Sequence, residues 1–213
     1  MNFKIIFHLD GSGVYFDPNE PMHLDALLAY CLAPHHKSVG ATLTRGDVPD
    51  HIPLPLMQAT IRGHKIWHAS ALFPVGDVGE DLQFWRKRFR QNRAELSTGA
   101  PVLENGTYRD WNTPMPLMLC PKMIAYASGN RKRTLAALKR NVRYIGKKRA
   151  YGMGRVASIE AEEVESDWSL VKDGQSMRWL PDESGTRLVR PAPPYWNRHQ
   201  RIKCCEVGSP YCL

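Results

Sequence analysis

Residues Lys122–Glu160 read KMIAYASGN RKRTLAALKR NVRYIGKKRA YGMGRVASIE, and this stretch decides how the whole chain is arranged. Lys122–Tyr126 has the composition of a strand. Asn130 stands where a helix needs a side-chain acceptor for its first free N–H groups. Beyond it, Leu135, Leu138, Val142 and Ile145 recur at helical spacing, while Arg131, Lys132, Lys139, Arg140 and Arg143 cover the other faces. Gly146 is placed to stop that helix. A basic run, Lys147-Lys148-Arg149, follows. Gly152-Met153-Gly154 then leads into a strand over Arg155–Glu160. The unit is strand, basic amphipathic helix, glycine loop, strand.

A matching half precedes it. Phe3, Ile5, Phe7 and Leu9 alternate with Lys4, Ile6 and His8, the period of a strand. Residues 10–20 are rich in turn formers. Met22–Ala33 holds good helix formers, with Pro21 at its start and Pro34 just past its end. Residues 34–60 are rich in Pro, Gly and His and suit loops, with an edge strand near Ile52–Met57. Ile61–Phe73 suits a strand pair or one long strand. A hairpin is expected from Trp168–Leu180 and Thr186–Arg190, then an irregular tail from Pro191. The predicted fold is α+β: a split ferredoxin-like or RRM-like βαββαβ domain over residues 1–160, interrupted by a thumb insertion at about 74–111, with a C-terminal β extension over 161–213. Such a domain leaves one sheet face and the glycine loop free to meet RNA.

Charge sharpens the functional expectation. The 213 residues carry a formal charge of +8. No acid occurs between Asp110 and Glu160, a span that holds Lys122, Arg131, Lys132, Arg133, Lys139, Arg140, Arg143, Lys147, Lys148, Arg149 and Arg155. A second cluster comprises Arg86, Lys87, Arg88, Arg90 and Arg93. Acids return together at Glu160, Glu162, Glu163, Glu165 and Asp167. Segregation of this kind repels itself unless a polyanion neutralises it. A solvated helix face is the plainer alternative.

Two stretches suit RNA. Around the glycine loop, Arg140, Arg143, Lys147, Lys148, Arg149 and Arg155 supply charge. Tyr144 and Tyr151 supply stacking faces, and Gly152 and Gly154 allow backbone N–H groups to approach phosphate. The helix precedes these glycines and a strand follows, the reverse of a dinucleotide fingerprint, and no Gly-Lys-Ser/Thr marks a P-loop. The second stretch, Phe84-Trp85-Arg86-Lys87-Arg88-Phe89-Arg90, interleaves aromatics with Arg86, Arg88 and Arg90. Rings stack on bases while guanidiniums take phosphates. The alternative is a helix that buries Phe84, Trp85 and Phe89 and turns its basic side to water.

Several classes are disfavoured. No His-Glu-x-x-His or Gly-x-Ser-x-Gly motif occurs. Cys204, Cys205 and Cys212 lie near His199, but without a Cys-x-x-Cys pair they read as reduced thiols, and no metal or cofactor is expected. No apolar run reaches membrane-spanning length. The N-terminal apolar stretch is broken by His8 and reads as a strand, not a signal peptide, so a cytoplasmic location is expected.

On these residues the chain resembles the repeat-associated (RAMP) RNA-binding proteins of CRISPR systems. Three segments, Leu24–Tyr30, Ile52–Leu56 with Trp67–Phe73, and Lys148–Gly154, resemble one branch, the Cas-five-like subunit of type IV effector complexes. The likeness spans roughly residues 1–160. It implies a non-catalytic protein that holds the 5′ handle of the crRNA in an antiviral ribonucleoprotein. Its thumb, carrying Arg86, Arg88 and Arg90, would reach the adjacent backbone subunit. The large and small effector subunits would be further partners, with target DNA near the PAM as an additional contact. Gly152 and Gly154 would meet the handle. The rival expectation is a metal-independent CRISPR endoribonuclease that processes precursor RNA. It would use His35 or His36 after the first helix, with Tyr30 or Lys37 assisting, because an imidazole titrates near neutral pH.

Overall fold

The computed structural model describes residues 1–15, 20–32, 52–88, 110–195 and 199–211. The chain is α+β, and among the described residues strands predominate over two α-helices. β1 (Asn2–Leu9) lies at the heart of a four-stranded sheet. It pairs antiparallel with β8 (Lys122–Ser128) on one side and β9 (Val156–Glu163) on the other, and β5 (Phe73–Val75) adds to β8. Alternation along β1 sends Phe3, Ile5 and Phe7 into a core shared with Leu24 and Leu28 of α1 (Leu24–Leu32) and Leu138 of α2 (Arg131–Asn141). Each of these six side chains is fully buried, contributing about 1.5–3 kcal/mol apiece relative to exposure.

α2 is capped as expected: the Asn130 side chain accepts from the Arg133 N–H at 3.0 Å. Its end is a correction. The helix stops at Asn141, one turn before Gly146, and Val142 is already extended. Val142 and Ile145 remain buried in the same core, so their helical spacing signalled burial beyond the last helical turn.

Four smaller sheets are found among the described residues. β2 (Val14–Tyr15) pairs with β7 (Trp111–Leu119), which pairs along its length with β6 (Gly79–Lys87). The helix considered for Phe84 onward is therefore a strand as far as Lys87, and residues 89–96 lie outside the described residues. β3 (Gln58–Ile61) and β4 (His64–Trp67) form a hairpin turned at Arg62-Gly63, both at positive φ. The edge strand expected near Ile52–Met57 is reduced to one bridge, Leu56 to Gly129. β10 (Val171–Lys172) pairs with β11 (Gln175–Ser176), and β12 (Arg187–Val189) pairs with β13 (Ile202–Cys204), so the tail is partly ordered. A second, smaller core of Ile66, Leu170, Leu180, Cys205 and Tyr211 joins this part to the β3–β4 hairpin.

The sheet face opposite the helices does not suit a polyanion. The returning acids land on it: Glu162 pairs with Lys4 at 2.8 Å and Glu160 with His8 at 3.4 Å. Trp168 meets Tyr126 edge-on at 5.2 Å, and Lys172 lies over both rings.

Candidate nucleic-acid interface

The glycine loop is pinned at its base. The Ile145 N–H donates to Gly154 O at 2.8 Å, the Gly154 N–H to Gly13 O at 2.7 Å, and the Lys147 N–H to Tyr15 O at 3.2 Å. Beyond this clamp the chain turns through Lys148 at φ 59 and a single 3₁₀ turn, Arg149–Tyr151, to Gly152 at φ 84. Gly154 is also left-handed, at φ 69, and a Cβ there would collide with the carbonyl oxygen of Ile145. Gly154 is thus required by packing, whereas Gly152 faces open space. The N–H groups of both glycines are already used, that of Gly152 by Arg149 O at 3.0 Å. The glycines shape the turn and do not present free amides. What the turn presents is side chains: Lys147, Lys148, Arg149 and Tyr151 are all exposed.

Those side chains meet the β6–β7 hairpin. Tyr151 stands edge-on to Trp85 with ring centroids 4.1 Å apart. The Lys148 ammonium lies 4.3 Å from the Trp85 ring centroid, a cation–π distance. Trp85 and Trp111 are nearly parallel, 15° apart with centroids at 5.9 Å. Together Tyr15, Trp85, Trp111, Thr113, Met115, Lys147 and Lys148 line an open cavity of about 510 Å³. Lys147 also reaches Glu20 at 2.9 Å, an exposed pair contributing about 0–1 kcal/mol and so easily exchanged for a phosphate. Aromatic faces beside exposed ammonium groups are the two elements that hold single-stranded nucleic acid.

A family model described as CRISPR type IV associated protein Csf3 matches residues 1–111 and 102–207. The chain belongs to the Csf3 family. No match to it is found among curated proteins. No helix among the described residues of this Csf3-family protein is long and apolar enough to cross a membrane.

Of the site residues expected from sequence, Lys147, Lys148 and Tyr151 converge on the cavity region in this Csf3-family protein, and Arg149 flanks it. Arg149 lies over the ring of Tyr30 at 5.1 Å, which brings the loop to the end of α1. The others point elsewhere. Arg140 and Arg143 are exposed at the end of α2, where Arg143 donates to Lys139 O at 3.0 Å. Tyr144 is half-buried and bridges to Arg155, whose guanidinium lies 3.9 Å from Asp10. Arg86 lies on the opposite face of β6 from Trp85, over Phe84 and donating to Asn112 at 3.1 Å, and exposed Arg88 shares that alternation. Arg90, His35, His36 and Lys37 lie outside the described residues. Trp111 and Tyr15 belong to the cavity, and no motif in the sequence marks them. The one signal they carry is an aromatic ring beside a turn-rich stretch.

The C-terminal cysteines are structural in setting. Cys204 and Cys205 are buried free thiols, and burial pushes Cys204 up to about 12. Cys212 lies outside the described residues.

Proposed function

We propose that this Csf3-family protein is a non-catalytic, Cas-five-like subunit of a type IV CRISPR effector ribonucleoprotein, and that it holds the 5′ handle of the guide RNA. One observation carries the reading: loop cations and hairpin aromatics, distant in sequence, surround a single cavity. The handle backbone runs past Lys147, Lys148 and Arg149, and a base stacks at Trp111 or Tyr151.

The strand order supports a ferredoxin-like ancestry. Across the main sheet it runs β9-β1-β8-β5, with α1 following β1 and α2 following β8. That order suits a βαββαβ unit whose second and third strands are separated by an insertion, the β6–β7 hairpin. The hairpin serves as the thumb. Leu82 and Phe84 on it are 53% and 46% exposed, apolar surface suited to a neighbouring backbone subunit. The large and small effector subunits, and target DNA near the PAM, are the remaining partners in this assignment.

The test is filter binding of repeat-derived RNA over a range of salt. Combined Lys147→Ala, Lys148→Ala and Arg149→Ala is expected to flatten the log–log salt dependence by about 0.7 for each phosphate that is no longer neutralised. An unchanged slope overturns the site. Incubating the same RNA with protein and EDTA tests the absence of catalysis: intact RNA is expected, and cleavage abolished by His36→Ala would establish the nuclease instead.

A further inference from the structure

A second cavity of about 510 Å³ opens between the start of α1 and the C-terminal segment. Its wall combines three aromatic rings, His23, Trp179 and Tyr195, with the arginines Arg187, Arg190 and Arg201. The rings brace one another. His23 stacks on Tyr195 at 5.2 Å and 22°, and meets Trp179 edge-on at 4.7 Å. His23 is only 2% exposed, and neither of its ring nitrogens has a hydrogen-bond partner among the described residues. Burial drives its pKa well below the usual 6.5, so the ring is neutral and carries one donor and one acceptor. Both nitrogens are shielded from solvent, so what His23 gives the cavity is its ring, which backs Trp179 and Tyr195.

Charge narrows the ligand. Arg187 is oriented by Glu206 at 3.1 Å, and Arg201 is exposed on the rim. The acid in the lining, Glu20, already engages Lys147. Guanidinium groups donate to phosphate and carboxylate alike, but the exposed part of Trp179 and the rings behind it favour a flat heteroaromatic over a peptide acid.

We propose that this cavity is a nucleotide-binding site, separate from the glycine loop, that receives a base at Trp179, braced from behind by His23, and its phosphate at Arg201 and Arg187. The nucleotide is either free or one unit of a bound strand; Glu20 lies between this cavity and Lys147, so a strand leaving the loop passes the rim.

Calorimetric titration of the full chain with AMP, with inorganic phosphate and with a short single-stranded RNA tests the proposal. AMP is expected to bind more tightly than phosphate. Arg201→Glu and Trp179→Leu should each weaken AMP by about tenfold, the effect of one good charge-assisted or stacking interaction. Trp179→Phe keeps a ring and should retain most binding, which separates loss of the site from loss of the fold. RNA that displaces AMP identifies a strand nucleotide as the occupant; AMP binding that RNA leaves untouched identifies a free nucleotide. The combined Lys147→Ala, Lys148→Ala and Arg149→Ala variant should bind AMP normally even where it loses RNA, so the two sites fail independently. No AMP binding into the millimolar range, phosphate bound as tightly as AMP, or unchanged affinity in both Arg201→Glu and Trp179→Leu would overturn the assignment.

Discussion

Arg178 and Lys148 carry the same charge in opposite surroundings. Arg178 has no exposed surface. Its guanidinium donates to Trp67 O at 2.6 Å, Ala69 O at 2.9 Å, Pro191 O at 2.7 Å and Asp25 Oδ2 at 2.9 Å, and to the Tyr195 hydroxyl oxygen at 2.7 Å. Tyr195 in turn donates to Asp25. This clasp ties the C-terminal segment to α1 and to the residues that end β4. Lys148 stands in the open, over Trp85. A buried charge is costly unless every partner is kept, whereas an exposed one is free to engage a ligand. Position, not residue type, separates the cation locked into the core from the cations left exposed.

The contrast can be broken most directly at the clasp. Arg178→Ala strands the Asp25 carboxylate and is expected to cost about 3–5 kcal/mol, while Lys148→Ala should stay within about 0.5 kcal/mol. Urea unfolding reads both, and equal midpoints would erase the distinction. Replacing the pair together, Arg178→Met with Asp25→Leu, should recover part of the stability because no charge is left unpaired.

The loop's two glycines give the next largest effect. Gly154→Ala combines positive φ with a backbone collision and should destabilise by about 3 kcal/mol, against about 1 kcal/mol for Gly152→Ala. If thermal melts rank them the other way, the clamp at Gly13 and Ile145 does not hold the loop.

At the proposed RNA interface, Trp111→Ala should weaken RNA binding by about 1–3 kcal/mol with the salt slope unchanged, because stacking releases no counterions. Lys148→Ala should change the slope by about 0.7. A slope change in the tryptophan variant would mean that the ring orders the cations and does not touch a base.

The smallest effect is a pH dependence. Burial depresses His23 below 6.5, so under mild acid the unfolded chain takes a proton that the folded chain refuses. Stability therefore falls as pH drops through 6.5, by up to about 1.4 kcal/mol per unit, and His23→Phe should remove that contribution in melts between pH 5 and 7.5.

Much of the fold is legible in the chain itself. β1, α1, β8 and α2 follow from alternation, helical spacing and a capping asparagine, all local properties that a short window contains. α2 ends earlier than its apolar spacing suggests, because burial, not helix, preserves that spacing at Val142 and Ile145. β6 is ambiguous in sequence because Phe84-Trp85 followed by arginines fits an amphipathic helix as well as a strand; pairing with β7 settles it. The clasp is invisible in sequence, since Arg178, Asp25 and Tyr195 lie up to 170 residues apart and no spacing between them signals a contact.

From sequence alone came the α+β character, the segregated charge and the glycine-bounded basic loop, because composition and short-range periodicity reflect the preferences of neighbouring residues. The tertiary structure alone decided which cations are locked in the core and which remain outside, that the open sheet face carries paired acids, and that Trp85 and Trp111 stand beside Lys148. Those outcomes depend on pairing and packing between distant segments, whose energies no local stretch of sequence contains.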